Sequence, residues 1–209
     1  MNAINTLLFD WDGTLVDSAH LGLAAFEKTF SELGVVFAHE IYEAKYSPNW
    51  YSTYEALGLP KELWHTADDL WIRHYGEQSA LLIDGVGETL FALSRKGYQL
   101  GVVTSGSRSR IDREVQQSAL KDTFGVIICN EDIKNKKPDP EGLVLAMHAL
   151  DVDPSQCAYV GDAPEDIEMG RRGNVKTVGV RSTYPSSARV PAANPDLYLE
   201  RISELLDHF

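Results

Sequence analysis

Five short apolar runs rich in β-branched residues punctuate the chain, at 7–9, 100–103, 126–129, 158–160 and 175–180. Runs this short and this continuously apolar read as strands buried on both faces, as in a parallel sheet. Helical patterns lie between them at roughly 109–119, 140–150 and 164–172, the last two opening on Pro140 and Pro164, whose fixed φ suits a first helical turn. The alternation predicts an α/β fold with a doubly wound parallel sheet. One stretch departs from it. Between 16 and 81 the period is helical, with Leu23, Phe26, Phe30 and Leu33 on one face and Leu63, Ala67, Leu70 and His74 on another. The expectation is an inserted α-helical cap domain over 16–81 and an α/β core domain formed by 1–15 and 82–209, with "LIDGVGETL" from Leu82 as the returning hinge.

Charge narrows the partners. Nineteen Lys and Arg against 31 Asp and Glu leave a formal charge of −12, which repels nucleic acid and anionic membranes. The first residues carry no basic, apolar leader, and nowhere do about 18 consecutive apolar residues occur. A soluble, cytoplasmic protein with neither nucleic acid nor membrane as partner is expected. Cys129 and Cys157 lie inside apolar runs without metal-ligand spacing and read as buried thiols, with no disulfide expected in that compartment. The chain has no internal repeat, only a Ser/Pro/Ala-rich loop at 182–195.

Chemistry concentrates where strands end. In "LLFDWDGTLVD" an apolar run stops at Asp10 and Asp12. At the carboxyl end of a central strand, residues i and i+2 point the same way, so both carboxylates face the crevice and Trp11 faces away. Gly13 permits a tight turn that brings N–H groups near an anion, and the Thr14 hydroxyl can fix that turn. An ordinary Asx-rich turn would read the same in isolation. "GVVTSGS" offers Thr104 and Ser105 to phosphoryl oxygens or to a helix cap. "KNKKPDP" holds Lys137 before a proline that restricts its backbone. "YVGDAPEDIEMG" groups Asp162, Glu165 and Asp166 as hard oxygen ligands, though acidic residues also suit a first helical turn.

In this order, "DWDGT", "VVTS", "KKPDP" and "GDAPED" resemble the four motifs of the haloacid dehalogenase superfamily, and "DWDGTLVDS" with the "LIDGVGETL" hinge is most similar to its phosphoglycolate phosphatase-like branch. The resemblance covers the whole chain. It implies a Rossmann-like core, a helical cap and a Mg²⁺-dependent phosphatase for a small phosphorylated metabolite. Asp10 would be the nucleophile that forms an aspartyl-phosphate, and Asp12 the general acid and base. Mg²⁺ would be held by Asp10, Asp162 and the backbone carbonyl of Asp12. Thr104 and Lys137 would bind the phosphoryl oxygens, with Asp166 orienting metal-bound waters or Lys137.

A haloalkanoate dehalogenase would lack Asp12, and a non-catalytic relative would show decay in a motif; none has decayed. A sugar phosphomutase keeps all four motifs and stays as the alternative, its extra histidine answered here only by His20, which reads as an exposed residue early in a cap helix. Specificity is expected from the loop "AKYSPNWYST", where Lys45 would meet a substrate carboxylate or hydroxyl, or only solvent. That loop lacks the glycine expected of a phosphoglycolate phosphatase. Trp50 is its candidate substrate contact, while Trp64, Trp71, Tyr51, Tyr54 and Tyr75 read mainly as packing within the cap.

Overall fold

The computed structural model describes residues 3–76 and 78–209. β1 (Thr6–Phe9) leads to β2 (Val16–Asp17), then to four helices, α1 (Ala19–Glu32), α2 (His39–Lys45), α3 (Trp50–Ala56) and α4 (Trp64–Tyr75), and to β3 (Leu81–Leu82). Alternation follows through α5 (Val86–Arg95), β4 (Gln99–Val103), α6 (Arg108–Gln117), β5 (Val126–Ile128), α7 (Glu141–Leu150), β6 (Cys157–Gly161), α8 (Pro164–Arg172), β7 (Lys176–Val180) and β8 (Leu197–Leu199).

Six strands form one sheet in the order β5-β4-β1-β6-β7-β8, every pair parallel. Leu7 of β1 pairs with Leu100 on one side and Ala158 on the other. The strand order reverses at β1, so the crevice of this Rossmann-like sheet opens beyond the carboxyl ends of β1, β4 and β6. Alternate side chains explain the unbroken apolar runs. Leu7 and Phe9 pack with Leu90, Leu93 and Ile111 from α5 and α6, whereas Leu8 packs with Leu143, Met147 and Met169 from α7 and α8. Each strand is therefore apolar on both faces.

The helical block hangs from a narrow neck. β2 and β3 pair antiparallel, Val16 opposite Leu82 and Asp17 opposite Leu81. Beyond it α1 packs along α4, and Phe26, Phe30, Tyr42, Tyr54 and Ala67 form a separate apolar cluster. His74, expected on the apolar face of α4, instead lies 3.0 Å from Glu32. Trp64 and Tyr51 stack within this cluster at 4.9 Å. None of the described helices is long and apolar enough to cross a membrane, and Cys129 and Cys157 are free, buried thiols.

Two elements depart from the sequence expectation. The "GVGETL" segment read as part of a hinge is the N-cap Gly85 and the first turn and a half of α5, whose Val86, Leu90 and Leu93 are fully buried. The short run 197–199 adds a sixth strand at the sheet edge. Leu8→Ala, in the centre of the buried sheet, is expected to destabilise the protein by about 2–5 kcal/mol. Urea unfolding checks this, and an unchanged midpoint would place Leu8 outside a packed core.

Candidate active site

Strand pairing continues one residue past β1, because the Asp10 N–H donates to Val160 O at 2.9 Å. That brings the Asp10 carboxylate to the mouth of the crevice. Lys137, in the segment before α7, donates from Nζ to Asp10 Oδ1 at 2.7 Å and to Asp166 Oδ1 at 2.8 Å, with its side chain only 2% exposed. Asp166, in the first turn of α8, accepts the Ala163 N–H at 3.0 Å through its other oxygen. Asp162 follows β6 and accepts from Ser182 Oγ at 2.5 Å and Thr14 Oγ1 at 3.5 Å. Carboxylate oxygens of Asp10, Asp162 and Asp166 all lie within 4.8 Å of one another. At the end of β4, Thr104 Oγ1 accepts the Gly106 N–H at 3.0 Å, which leaves its proton to donate into the cavity that Thr104 and Ser105 both line.

The turn after Asp10 is built differently from its sequence reading. Gly13 sits at φ +78°, where any side chain would overlap the Asp162 carboxylate and the Tyr184 ring. Its N–H is not free for an anion, since it donates to Val16 O at 2.9 Å. The Thr14 hydroxyl points at Asp162 rather than at the turn backbone. Asp12 lines the cavity, yet its carboxylate is turned toward α6. Arg110 grips it with two bonds, Nη1 to Oδ1 at 2.9 Å and Nη2 to Oδ2 at 2.5 Å, and Ser18 Oγ adds a third at 2.6 Å. Arg110 also reaches Glu114 at 3.3 Å. Glu114 in turn accepts from Trp11 Nε1 at 2.6 Å and from the hydroxyl of Tyr75, at the end of α4, at 3.0 Å.

Asp10 is pushed up to about 7, chiefly by burial and further by Asp166, with Lys137 opposing the rise. Asp162 is raised well above the carboxylate range by burial and then by Asp10 and Asp166. Lys137 keeps its proton firmly, because the two carboxylates beside it outweigh its own desolvation. Burial alone would raise Asp12, but Arg110 and Ser18 overcome it and hold that carboxyl below the usual range. The cluster thus sets three buried carboxylates against one ammonium. With all three ionised, two negative charges would be left uncompensated, which is why burial pushes Asp10 and Asp162 toward their neutral forms. A divalent cation that prefers hard oxygen ligands fits such a donor set, and Mg²⁺ is the ion of that kind most at home beside phosphate.

The structure gathers Asp10, Asp12, Gly13, Thr104, Ser105, Lys137, Asp162 and Asp166 at one crevice, and Trp50 overlooks it from α3. Lys45 does not join them. It is exposed at the end of α2, outside the cavity lining, and Arg189 takes the carbonyl of the neighbouring Ala44 at 2.6 Å. His20 is likewise exposed and apart from the crevice. Sequence reading overlooked Arg110 and Glu114, whose i,i+4 spacing passes for a solvated ion pair. Their signal was a buried stripe of Arg110, Ile111, Glu114 and Val115 on an otherwise polar helix. It also left the 182–195 loop without a role, although Ser182 holds Asp162 and Tyr184 stacks on Tyr46 at 5.1 Å.

The family model described as haloacid dehalogenase-like hydrolase matches residues 7–180. Pyrophosphatase PpaX of Bacillus velezensis is 30% identical over 97% of this chain and 95% of its own length. A Lactobacillus plantarum structure described as a phosphoglycolate phosphatase superposes with a TM-score of 0.90 at 19% identity, covering 100% of both chains. CbbY of Rhodobacter sphaeroides, solved with xylulose-1,5-bisphosphate, superposes at 0.77 with 22% identity over 97% of this chain and 96% of its own. At those identities the two structures speak for the fold. The family match reaches from the strand before Asp10 to the last residue of β7, and with it the chain belongs to the haloacid dehalogenase-like hydrolases.

Proposed function

We propose that the protein is a Mg²⁺-dependent phosphatase that hydrolyses a small phosphate monoester through an aspartyl-phosphate on Asp10. One observation carries the reading: Asp10 and Asp166 share a single Lys137, Asp162 brings a third carboxylate within 4.8 Å of both, and Thr104 lines the same cavity. PpaX, a pyrophosphatase by name, supports phosphoryl chemistry in a relative of nearly the same length.

Asp10 has one oxygen held by Lys137, which leaves Oδ2 to attack phosphorus in line and take the phosphoryl group. Lys137 offsets the charge of the nucleophile and meets an equatorial oxygen, and Asp166 keeps its ammonium aimed. Thr104 donates to another phosphoryl oxygen. Mg²⁺ bound by Asp10, Asp162 and the Asp12 carbonyl would screen the dianionic phosphate from the carboxylates. Asp12, kept ionised by Arg110, is suited to take a proton from the water that cleaves the aspartyl-phosphate. To protonate the leaving alkoxide first, it must acquire a proton and turn from Arg110 toward the cavity. A cytoplasmic setting goes with the buried free thiols and the acidic surface.

Phosphate release from a panel of esters, with Mg²⁺ and with EDTA, tests the reading. Asp10→Asn is expected to lower turnover by at least about 10³-fold, and near wild-type activity would remove Asp10 as nucleophile. Asp12→Asn should accumulate phosphorylated protein with an aryl phosphate, visible by intact mass; unmodified protein throughout turnover would contradict the base role.

Metal binding has a readout apart from activity. Relieving the repulsion among three carboxylates should raise the melting temperature of EDTA-treated protein on adding Mg²⁺, with about 2.7 kcal/mol of stabilisation at a hundred times Kd. Asp162→Asn should lose most of that rise. A melting curve indifferent to Mg²⁺ in the wild-type protein would remove the ion from the site.

A further inference from the structure

The cavity above Asp10 has two unlike halves. Its floor carries the carboxylates, Thr104 and Ser105, whereas its roof is formed by Tyr46, Trp50, Tyr54, Trp71 and Ile72 from the helical block. The roof is aromatic, and its charged group among the lining residues is a carboxylate. Asp68 accepts from Trp50 Nε1 at 2.8 Å and from the Tyr51 hydroxyl at 2.9 Å. Burial raises its carboxyl above the usual range, so the surroundings already disfavour negative charge. Trp71 adds a buried indole N–H that has no partner among the described residues.

Cations are scarce in this space. Among the described residues lining the cavity, Arg110 is the only one, and both its Nη atoms are engaged by Asp12 and Glu114. Lys136 lies 3.8 Å from the Trp50 ring centroid and donates to Asn130, a residue of the cavity lining, and its charge is already shared with Asp68 and Glu131. Lys45 is exposed elsewhere. A substrate that carried a second anion beyond its phosphoryl group would meet Asp68 and Glu131, two carboxylates that share the one ammonium of Lys136. A flat, uncharged ring would instead bury its faces against the aromatic walls, and a hydroxyl or ring heteroatom on it could accept the Trp71 N–H.

We infer that the roof selects an uncharged, ring-bearing leaving group, so that the enzyme hydrolyses phosphate monoesters of ring alcohols in preference to phosphoglycolate or pyrophosphate. This rests on the phosphatase reading above and adds to it the class of alcohol released. Attack by Asp10 breaks the P–O bond to that alcohol, whose alkoxide takes the proton that Asp12 has first acquired. Water then cleaves the aspartyl-phosphate, returning the proton to Asp12 and releasing phosphate.

The test is kcat/KM with Mg²⁺ for benzyl phosphate, phosphoglycolate and pyrophosphate. Benzyl phosphate and phosphoglycolate both release alkoxides, so their ratio reports the roof and not the ease of bond breaking. Benzyl phosphate is expected to lead each of the others by about a hundredfold, the scale of one like-charge encounter in a partly buried site. Asp68→Asn should shrink the lead over phosphoglycolate by about tenfold. A lead below about tenfold in the wild-type enzyme, or a ratio that Asp68→Asn leaves unchanged, overturns the inference while the phosphatase reading stands. Release from none of the three substrates and none from an aryl phosphate overturns both.

Discussion

The double ion pair of Lys137 with Asp10 and Asp166 is the constraint around which the site is organised. A lysine 2% exposed carries a large desolvation penalty, and only close carboxylates on both sides make its charge tolerable. Those partners come from the end of β1 and the start of α8, so the lysine can be accommodated only after β1 and β6 have paired and α8 has docked. Packing is correspondingly tight. Gly161 leaves no room for a side chain, since a Cβ there would lie 2.5 Å from the Asp166 carboxylate. The sheet register and the charge arrangement are thus mutually dependent, each restricting the other to one solution.

A second network, centred on Arg110, joins the chemistry to the helical block. It holds Asp12 through two bonds and shares Glu114 with Trp11 and Tyr75. Tyr75 closes α4, immediately before the chain returns toward the neck. Any movement of α4 relative to the sheet therefore pulls on the acceptor that helps to fix Arg110. Further ties across the same gap are the Tyr46–Tyr184 stack and the Arg189 bond to the Ala44 carbonyl. Polar and aromatic contacts of this kind are directional and individually modest, unlike the apolar clusters within the sheet and within the helical block.

Much of the architecture was legible in the sequence because central parallel strands are apolar on both faces and end where polar chemistry begins. Asp10, Thr104 and Asp162 could be located in that way, each just past an apolar run. The helix beginning at Val86 was less legible, since "GVGETL" has two glycines among its first three residues and resembles a loop until tertiary packing buries Val86, Leu90 and Leu93. The strand at 197–199 is short, lies at the edge and contains a half-exposed Tyr198, so it lacks the apolar run that marks the others. Arg110 and Glu114 were hidden for a different reason: charged side chains four apart on a polar helix normally face water, and only contact with Asp12, Trp11 and Tyr75 gives these two a buried role.

By itself, the sequence determined the sheet-and-helix alternation, the helical interruption and the residue types that stand at the strand ends, because period, apolarity and turn chemistry are local properties of the chain. Tertiary structure decided which charges compensate which. Lys137 is separated from Asp10 by 127 positions and Arg110 from Asp12 by 98, and no local pattern records such pairings. It also decided that Lys45 faces solvent while Asp68 looks into the cavity, because the exposure of a charged side chain depends on what packs above it and not on its neighbours in sequence.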